Sequence, residues 1–237
     1  MSTGNPIQLS LSVKLSDEAT FSNFYAGPNE LVVKAVRALA DPQSNPADDV
    51  LYLWGACGSG RSHLLQAACH HMAEAGGLAM YLPLADMIEH GPVLFEGMEE
   101  VDLLCLDELD AVVGHAHWQE ALFHLYNRLR ERGGHLLLAA DSPPRSMALD
   151  LPDLTSRLGW GLVLQMQALD DLGKQEVLKL RAEGRGLQLS DEVARYMLSR
   201  GARGMGELFA ALEKLDQASL QAKHRLTIPF VKRIMDW

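Results

Sequence analysis

The fold of this 237-residue chain is decided by the stretch Val50-Leu51-Tyr52-Leu53-Trp54-Gly55-Ala56-Cys57-Gly58-Ser59-Gly60-Arg61-Ser62. Five apolar residues lead into a glycine-rich turn, and an amphipathic segment at 63–75 follows, which is the order strand, turn, helix. The turn fits the P-loop pattern G-x-x-x-x-G-K-[ST], except that Arg61 stands where lysine is usual. Glycines let consecutive N–H groups point inward around phosphates, and the helix N-terminus adds partial positive charge. We therefore predict a nucleotide phosphate site, the alternative being an ordinary glycine-rich turn.

The predicted phosphate site comprises the turn and the start of the helix: Gly55, Cys57, Gly58, Ser59, Gly60, Arg61, Ser62 and His63. The hydroxyl of Ser62 is expected to bind Mg²⁺. Lysine acts in such a loop as a point charge, whereas arginine is larger and planar. The substitution at Arg61 therefore leaves phosphate binding expected but argues against efficient turnover.

Composition is that of a globular protein with a sizeable core. Hydrophobic residues make up 48% of the chain, and no apolar run approaches the ~20 residues that a membrane-spanning helix needs. The N-terminus lacks the basic and apolar segments of a secretory signal. The odd number of cysteines, Cys57, Cys69 and Cys105, favours reduced thiols and a cytoplasmic protein. The net charge of −10 argues against strong independent binding to DNA.

Strand and helix patterns alternate up to about residue 168. Apolar runs predict five strands, at Val50–Trp54, Ala79–Pro83, Val101–Leu106, His135–Ala140 and Leu162–Met166. Helical patterns lie between them, the clearest at Trp118–Arg132. This alternation predicts an α/β domain at 19–168 with a parallel sheet covered by helices on both faces.

The pattern changes after about residue 169, where strand signals stop. Helices are predicted at Asp171–Glu183, Asp191–Arg200, Met205–Ala222 and Pro229–Met235, with Ser190 as an N-cap. The sequence therefore predicts a small all-helical domain at 169–237 after the α/β domain, and a tail at 1–18 before it.

An acidic pair follows the third predicted strand. The apolar run 101–106 leads directly to Asp107 and Glu108. In a P-loop NTPase, Asp107 would reach Mg²⁺ directly or through water, and Glu108 would orient or deprotonate the attacking water. The alternative is a solvated acidic turn, which the nearby Asp110 also fits.

Two further polar residues are candidates for catalysis. Asp141 follows the buried strand 136–140, at the edge of a parallel sheet where loops face the ligand. It would sense the γ-phosphate through a water, or cap the chain before Pro143. Arg157 lies between two turn-forming stretches and would stabilise phosphate charge on a neighbouring nucleotide, or form a structural salt bridge. The residues alone leave both choices open.

Several motifs together resemble a known family. They are Phe21-Ser22-Asn23-Phe24, Gly27-Pro28-Asn29, the P-loop, Leu106-Asp107-Glu108 and Ser156-Arg157-Leu158-Gly159-Trp160-Gly161-Leu162. With the helical region they are similar to the AAA+ module of the bacterial replication initiator DnaA, over almost the whole chain after residue 18. Nothing here resembles the helix-turn-helix domain of DnaA. The Gly-Arg-Ser end of the P-loop, the stretch 8–11 and the stretch 225–232 resemble the Hda family of DnaA regulators.

The resemblance implies an AAA+ P-loop NTPase core with a helical lid, binding ADP or ATP with Mg²⁺. It implies a protein that, with ADP and the DNA-loaded sliding clamp of DNA polymerase III, stimulates ATP hydrolysis on DnaA and so represses re-initiation of replication. Arg157 would be an arginine finger supplied in trans, and a homo-oligomer is expected. The base and sugar would be framed by Phe21, Phe24 and Asn29.

The stretch 8–11 is similar to a clamp-binding peptide. In that reading an extended tail places a glutamine amide and two leucines in an apolar pocket of the clamp, namely Gln8, Leu9 and Leu11. The alternating pattern fits a short edge strand equally well.

One departure from the family concerns the lid. The family usually carries a sensor arginine near the start of the third lid helix, and the simplest alignment puts Gly206 there. Arg203, one helical turn earlier, would substitute and contact the nucleotide, or would be a solvated charge at the start of the helix.

Two other functions fit the same motifs. A helicase-loader or initiator-like adaptor would use the module to dock DNA or a helicase without stimulating hydrolysis; the clamp-like tail argues against it. A small-molecule kinase also combines a P-loop with a helical lid. The position of Arg157 and the four predicted helices after residue 169 argue against the kinase.

Overall fold

The computed structural model describes residues 19–201, 204–222 and 225–237. The predicted tail at 1–18, with Gln8, Leu9 and Leu11, lies outside the described residues, and so does Arg203.

The described part of the chain contains a five-stranded parallel sheet. Its strands are β1 Val50–Gly55, β2 Ala79–Pro83, β3 Leu103–Asp107, β4 His135–Ala140 and β5 Leu162–Met166. The order is β2-β3-β4-β1-β5, and all neighbours are parallel. The predicted parallel α/β sheet is confirmed. Strand β3 begins two residues later than predicted, where the carboxylate of Asp102 accepts a hydrogen bond from the N–H of Leu78 at 2.7 Å.

Helices precede, connect and follow the strands. They are α1 Glu30–Leu39, α2 Arg61–Glu74, α3 Leu84–Met87, α4 Ala116–Glu131, α5 Pro152–Leu158, α6 Asp171–Gly184, α7 Asp191–Arg200, α8 Met205–Ala222 and α9 Ile228–Met235. Arg157, expected between two turn-forming stretches, instead lies in the last turn of α5. Pro152 at the first turn has a backbone angle suited to a helix start, and Leu154 and Leu158 bury one face of the helix.

The three central strands, β1, β3 and β4, are buried on both faces. Along β1, Val50 and Tyr52 belong to the core that α4 and α5 cover, whereas Leu51 and Leu53 belong to the core beneath α1 and α2. A strand buried on both faces is continuously apolar, which explains why sequence patterns identify this sheet. The stacked layers fix the carboxyl ends of the strands, where the P-loop begins.

The helices α6 to α9 pack around a separate core, which includes Leu178, Met197, Leu212 and Phe230. Side chains cap three of these helices: Asp170 accepts from the N–H of Gly173, Ser190 from that of Val193, and Thr227 from that of Phe230. The predicted cap at Ser190 is confirmed.

Candidate nucleotide-binding site

The P-loop connects β1 to α2 through two glycines with left-handed backbone angles. Gly58 has a φ of +78° and Gly60 a φ of +96°, a conformation that favours glycine. A side chain at Gly60 would also lie 2.8 Å from the ring of Phe24. The last residue of β1, Gly55, is also closely packed, because a Cβ there would lie 2.5 Å from the carbonyl oxygen of Met166. The predicted turn therefore needs glycine for both backbone shape and close packing.

Ser59 supplies an unsatisfied polar group inside this loop. The residue is 6% exposed, and its hydroxyl has no hydrogen-bond partner among the described residues. Buried hydroxyls are nearly always paired in native proteins, so this one fits a phosphate oxygen or a water. Ser62 and Cys57 are exposed at the same turn. The loop, the free N–H groups at the start of α2 and the hydroxyls fit a phosphate group.

A pocket of about 320 Å³ lies between the P-loop and the helical region. Residues from before α1, from the P-loop and from α6 and α8 line it: Asn23, Phe24, Tyr25, Asn29, Gly58, Ser59, Gly60, His63, Leu169, Val177, Leu180, Arg181, Gly184, Arg185, Met205 and Phe209. Six predicted residues meet here, namely Phe24, Asn29, Gly58, Ser59, Gly60 and His63. The sequence reasoning missed Arg181, on α6, and Arg185, which caps the C-terminal end of that helix.

His63 joins the segment before α1 to the P-loop helix. Its Nε2 lies 2.8 Å from the carbonyl oxygen of Thr20, and its ring centre lies 5.2 Å from that of Phe24. Burial lowers the pKa of His63 below 6.5, and the positive charge of Arg181 acts in the same direction, against the hydrogen bond to Thr20. A carbonyl only accepts, so Nε2 carries the proton of the neutral ring.

Asn29 and Phe21, predicted together with Phe24 to frame the base and sugar, lie in different places. Asn29 is 2% exposed; its amide donates to the carbonyl of Gln167 at 2.9 Å and accepts from the N–H of Gln167 at 2.8 Å. It lines the pocket while fixing the chain between β5 and α6. Phe21 packs against Arg37 and His71 and is not among the described residues that line the pocket.

Arg61 is held at the end of β4. Its guanidinium donates to the carbonyl of Ala140 and to the carboxylate of Asp141, and the arginine side chain is 13% exposed. The N–H of Asp141 donates in turn to a carboxylate oxygen of Asp110 at 2.6 Å. Asp141 is thus the ion-pair partner of Arg61, a relationship that neither predicted role included.

The acidic pair after β3 sits beside this ion pair. Asp107 is 3% exposed and accepts hydrogen bonds from the hydroxyl of Tyr81 at 2.8 Å and from the N–H of Glu108 at 2.9 Å. Glu108 has a left-handed φ of 55°, which is rare for a residue with a side chain. Partial burial, and next the charge of Asp107, raise the pKa of Glu108, while Arg61 lowers it.

The described residues contain no group of three or more side chains of His, Cys, Asp or Glu that would hold a metal ion by themselves. Mg²⁺ in nucleotide sites uses one or two protein oxygens together with phosphates and water. The oxygens of Asp107 and Ser62 fit that chemistry, with most ligands coming from the nucleotide and solvent.

Arg157 lies at the other end of the sheet from the P-loop. It precedes β5, and a Cβ at the nearby Gly161 would lie 2.2 Å from the carbonyl oxygen of Val50, the first residue of β1. The P-loop follows the last residue of β1, and a strand of six residues spans about 20 Å. Within the described residues Arg157 forms no ion pair; its guanidinium packs 4.1 Å from the ring centre of Trp160 and 5.9 Å from that of Phe123.

None of the helices in the described ranges is both long and apolar enough to span a membrane.

The sheet order, the P-loop after β1 and the helical region beyond β5 define an AAA+ P-loop fold. Two family models match parts of the chain: residues 89–165 match the bacterial DnaA ATPase domain, and residues 171–235 match the lid domain of Hda. The chain therefore has an AAA+ fold and is similar to the bacterial DnaA ATPase domain in its core and to the Hda lid domain in its helical region.

Solved structures agree with this fold. Domain III of the Thermotoga maritima replication initiation protein DnaA is 22% identical, with a TM-score of 0.80, covering 94% of this chain and 98% of that one. AMPPCP-bound DnaA from Aquifex aeolicus is 25% identical, with a TM-score of 0.69, covering 87% of this chain and 68% of that one. A replication initiator DnaA bound to AMPPCP and single-stranded DNA is also 25% identical, with a TM-score of 0.69, covering 88% and 69%.

Proposed function

We propose that this protein is an AAA+ regulator that binds ADP or ATP between its core and its lid and stimulates ATP hydrolysis on DnaA. The sliding clamp loaded on DNA is the proposed second partner. The observation that carries the proposal is the placement of Arg157 at the end of the sheet remote from its own P-loop, in a chain with a DnaA-like core and an Hda-type lid.

Nucleotide binding is supported by the P-loop backbone, by the unpaired hydroxyl of Ser59 and by the pocket between core and lid. Two similar DnaA structures hold AMPPCP. We assign Mg²⁺ to Ser62 and Asp107, and orientation of water to Glu108. Because Arg61 is paired with Asp141, the P-loop cation is drawn away from the phosphates. This favours a protein that holds ADP and activates its partner over one with rapid turnover of its own.

The role of Arg157 follows from distance. An arginine side chain reaches much less than the about 20 Å that separates the two ends of β1, so Arg157 acts on the nucleotide of another molecule. An arginine supplied in trans stabilises charge on the transferring phosphoryl group and is worth ~10³–10⁵ in rate. With its ring partner Trp160 exposed, the guanidinium lies at the surface that would face DnaA.

Clamp binding is proposed for the stretch 8–11, outside the described residues. Replacement of Gln8, Leu9 and Leu11 by alanine should abolish capture by the clamp while the melting temperature stays nearly constant. Unfolding of the triple variant would identify the segment as a structural strand instead. Self-association and a cytoplasmic location stay predictions.

The deciding experiment measures hydrolysis of DnaA-bound ATP with this protein, ADP, clamp and DNA. Wild type should stimulate hydrolysis, and Arg157→Ala should lose the stimulation while retaining its melting temperature, ADP binding and clamp binding. Arg157→Lys should restore little, because an ammonium lacks the planar fork. Arg145→Ala, at an exposed arginine elsewhere, serves as the control for general loss of charge. Full stimulation by a folded Arg157→Ala protein would contradict the proposal.

An adaptor that docks DNA or a helicase is the second candidate, because one similar DnaA structure contains single-stranded DNA. The same wild-type preparation distinguishes the two candidates. An adaptor would bind single-stranded DNA or a helicase and would leave DnaA-bound ATP unhydrolysed. The net charge of −10 weighs against this candidate, since single-strand binding relies on positive grooves.

A further inference from the structure

The cationic residue of the P-loop, Arg61, is directed at the end of β4. Arg61 donates to the carbonyl of Ala140 and the carboxylate of Asp141, and it is not among the described residues that line the pocket. Asp107 and Glu108 add negative charge nearby. A diphosphate bound here needs positive charge from another element.

The lid position at which the family resemblance leads us to expect an arginine carries glycine in this chain. Met205 lies against the P-loop, since a Cβ at Gly58 would be 3.7 Å from the Cβ of Met205. The next residue is Gly206, and a Cβ placed there meets nothing within 4 Å among the described residues. The first turn of α8 therefore contacts the phosphate loop through Met205, and the exposed position after it, Gly206, carries no charge.

Helix α6 brings arginines to the same pocket from the other side. Arg181 and Arg185 both line it, together with Gly58 and Ser59. Arg181 is fixed by its packing on α8, with the guanidinium carbon 5.1 Å from the ring centre of Phe209. Its charge is felt in the first turn of α2, where it contributes to the low pKa of His63. The contact with Phe209 fixes Arg181 at the lid side of the pocket, whereas Arg185 lines the pocket at the end of α6.

We propose that Arg181 supplies the lid's positive charge to the phosphates of a bound nucleoside diphosphate or triphosphate, in place of the arginine absent at Gly206. The inference rests on the proposed nucleotide binding and adds the residue that reads the phosphates. It differs from the expectation for Arg203, because the charge comes from α6 and not from the segment before α8.

The test compares ADP with adenosine, which has no phosphate, by calorimetry on the full chain. Arg181→Met keeps an aliphatic stem for Phe209 and removes the charge. It should weaken ADP binding about tenfold or more, the loss of one charge-assisted contact, and leave adenosine binding unchanged. Arg181→Lys should retain most of the ADP affinity. Adding Gly206→Arg to Arg181→Met should recover part of it, because position 206 follows Met205, which contacts the P-loop at Gly58, and is exposed enough to accept a long side chain.

Variants of the neighbouring arginines test whether Arg181 is the residue that contacts the phosphates. Arg185→Met, in the same pocket, should change ADP affinity less than Arg181→Met; the reverse order overturns the assignment. Equal weakening of ADP and adenosine by Arg181→Met would show a structural role in the lid and also overturns it. The assignment is also overturned if Arg203→Ala loses ADP affinity and Arg181→Met does not. If the wild-type protein binds no ADP, the proposed nucleotide site itself is wrong. If the wild-type protein binds ADP and Arg181→Met binds it equally well, only the role of Arg181 is wrong.

Discussion

The guanidinium of Arg157 lies 4.1 Å from the ring centre of Trp160, which ties the last turn of α5 to the chain entering β5. Trp160 is 57% exposed, and tryptophan is usually well buried. A stacked arginine samples fewer rotamers than a free one. The pair therefore presents the guanidinium at the surface in a restricted set of directions.

Trp160→Ala should lower the stimulation of DnaA-bound ATP hydrolysis several-fold, because a cation–π contact of about 0.5–1 kcal/mol no longer orients Arg157. The melting temperature should change little, since most of the ring is in solvent. Trp160→Phe should restore most of the stimulation by keeping an aromatic face. Hydrolysis and melting temperature are measured on the same preparations. Unchanged stimulation in Trp160→Ala would show that the stack does not position the arginine.

Asp141→Asn should tighten ADP binding several-fold at low salt. The change removes a negative charge near the phosphate loop and releases Arg61 from its ion pair, and both effects favour a bound anion. Calorimetry of wild type, Asp141→Asn, Arg61→Ala and the double variant forms a complete cycle. In the Arg61→Ala background, Asp141→Asn should increase ADP affinity less than it does in wild type. The increase that remains there measures the effect of removing the negative charge of Asp141. Weaker ADP binding in Asp141→Asn would instead indicate that the carboxylate contacts the ligand or its metal.

Asn29→Ala should lower the free energy of unfolding by about 1–2 kcal/mol, because two part-buried hydrogen bonds between the buried amide of Asn29 and the backbone of Gln167 are lost. Urea titration measures the change. Asn23→Ala is the matched control: Asn23 is exposed, and its side chain accepts a local hydrogen bond from the N–H of Thr20. A stability loss no larger than that of the control would mean that the clamp on Gln167 contributes little.

Stability should depend on pH through His63. Its pKa in the folded protein is below 6.5, so below that pH the unfolded chain binds a proton that the folded protein excludes. The free energy of unfolding therefore falls as pH drops below 6.5 and gains nothing further from this group above it. His63→Gln should remove that part of the slope, as measured by urea titrations from pH 5 to pH 8, whereas His117→Gln at an exposed site should not. Equal slopes in wild type and His63→Gln would contradict the expectation.

Strands were predictable here because burial on both faces makes them continuous apolar runs, as Leu51 and Tyr52 show by facing different cores. Helix α1 has the spacing of a helix face in Val32, Val36 and Leu39, so its signal was present in the sequence and was overlooked. Helix α5 is short, and its two buried leucines give too little periodicity to separate it from a turn.

The pairings within the site were not predictable in the same way. Arg61 and Asp141 are 80 residues apart and Asn29 and Gln167 are 138 apart, so their contacts depend on how strands and helices pack. Sequence motifs indicated which strand ends carry polar groups, and that was enough to expect a site. They did not indicate that Arg61 would turn to β4, or that Arg181 would face the pocket.

The sheet holds the P-loop at one end and Arg157 at the other, which gives the molecule a direction. Any chain of such modules in which each arginine serves the next nucleotide grows head to tail. Loss of Arg157 in one member then impairs its neighbour's hydrolysis and spares its own. A mixture of intact and variant molecules should accordingly lose activity in proportion to the donors removed, whichever nucleotide the variants themselves hold.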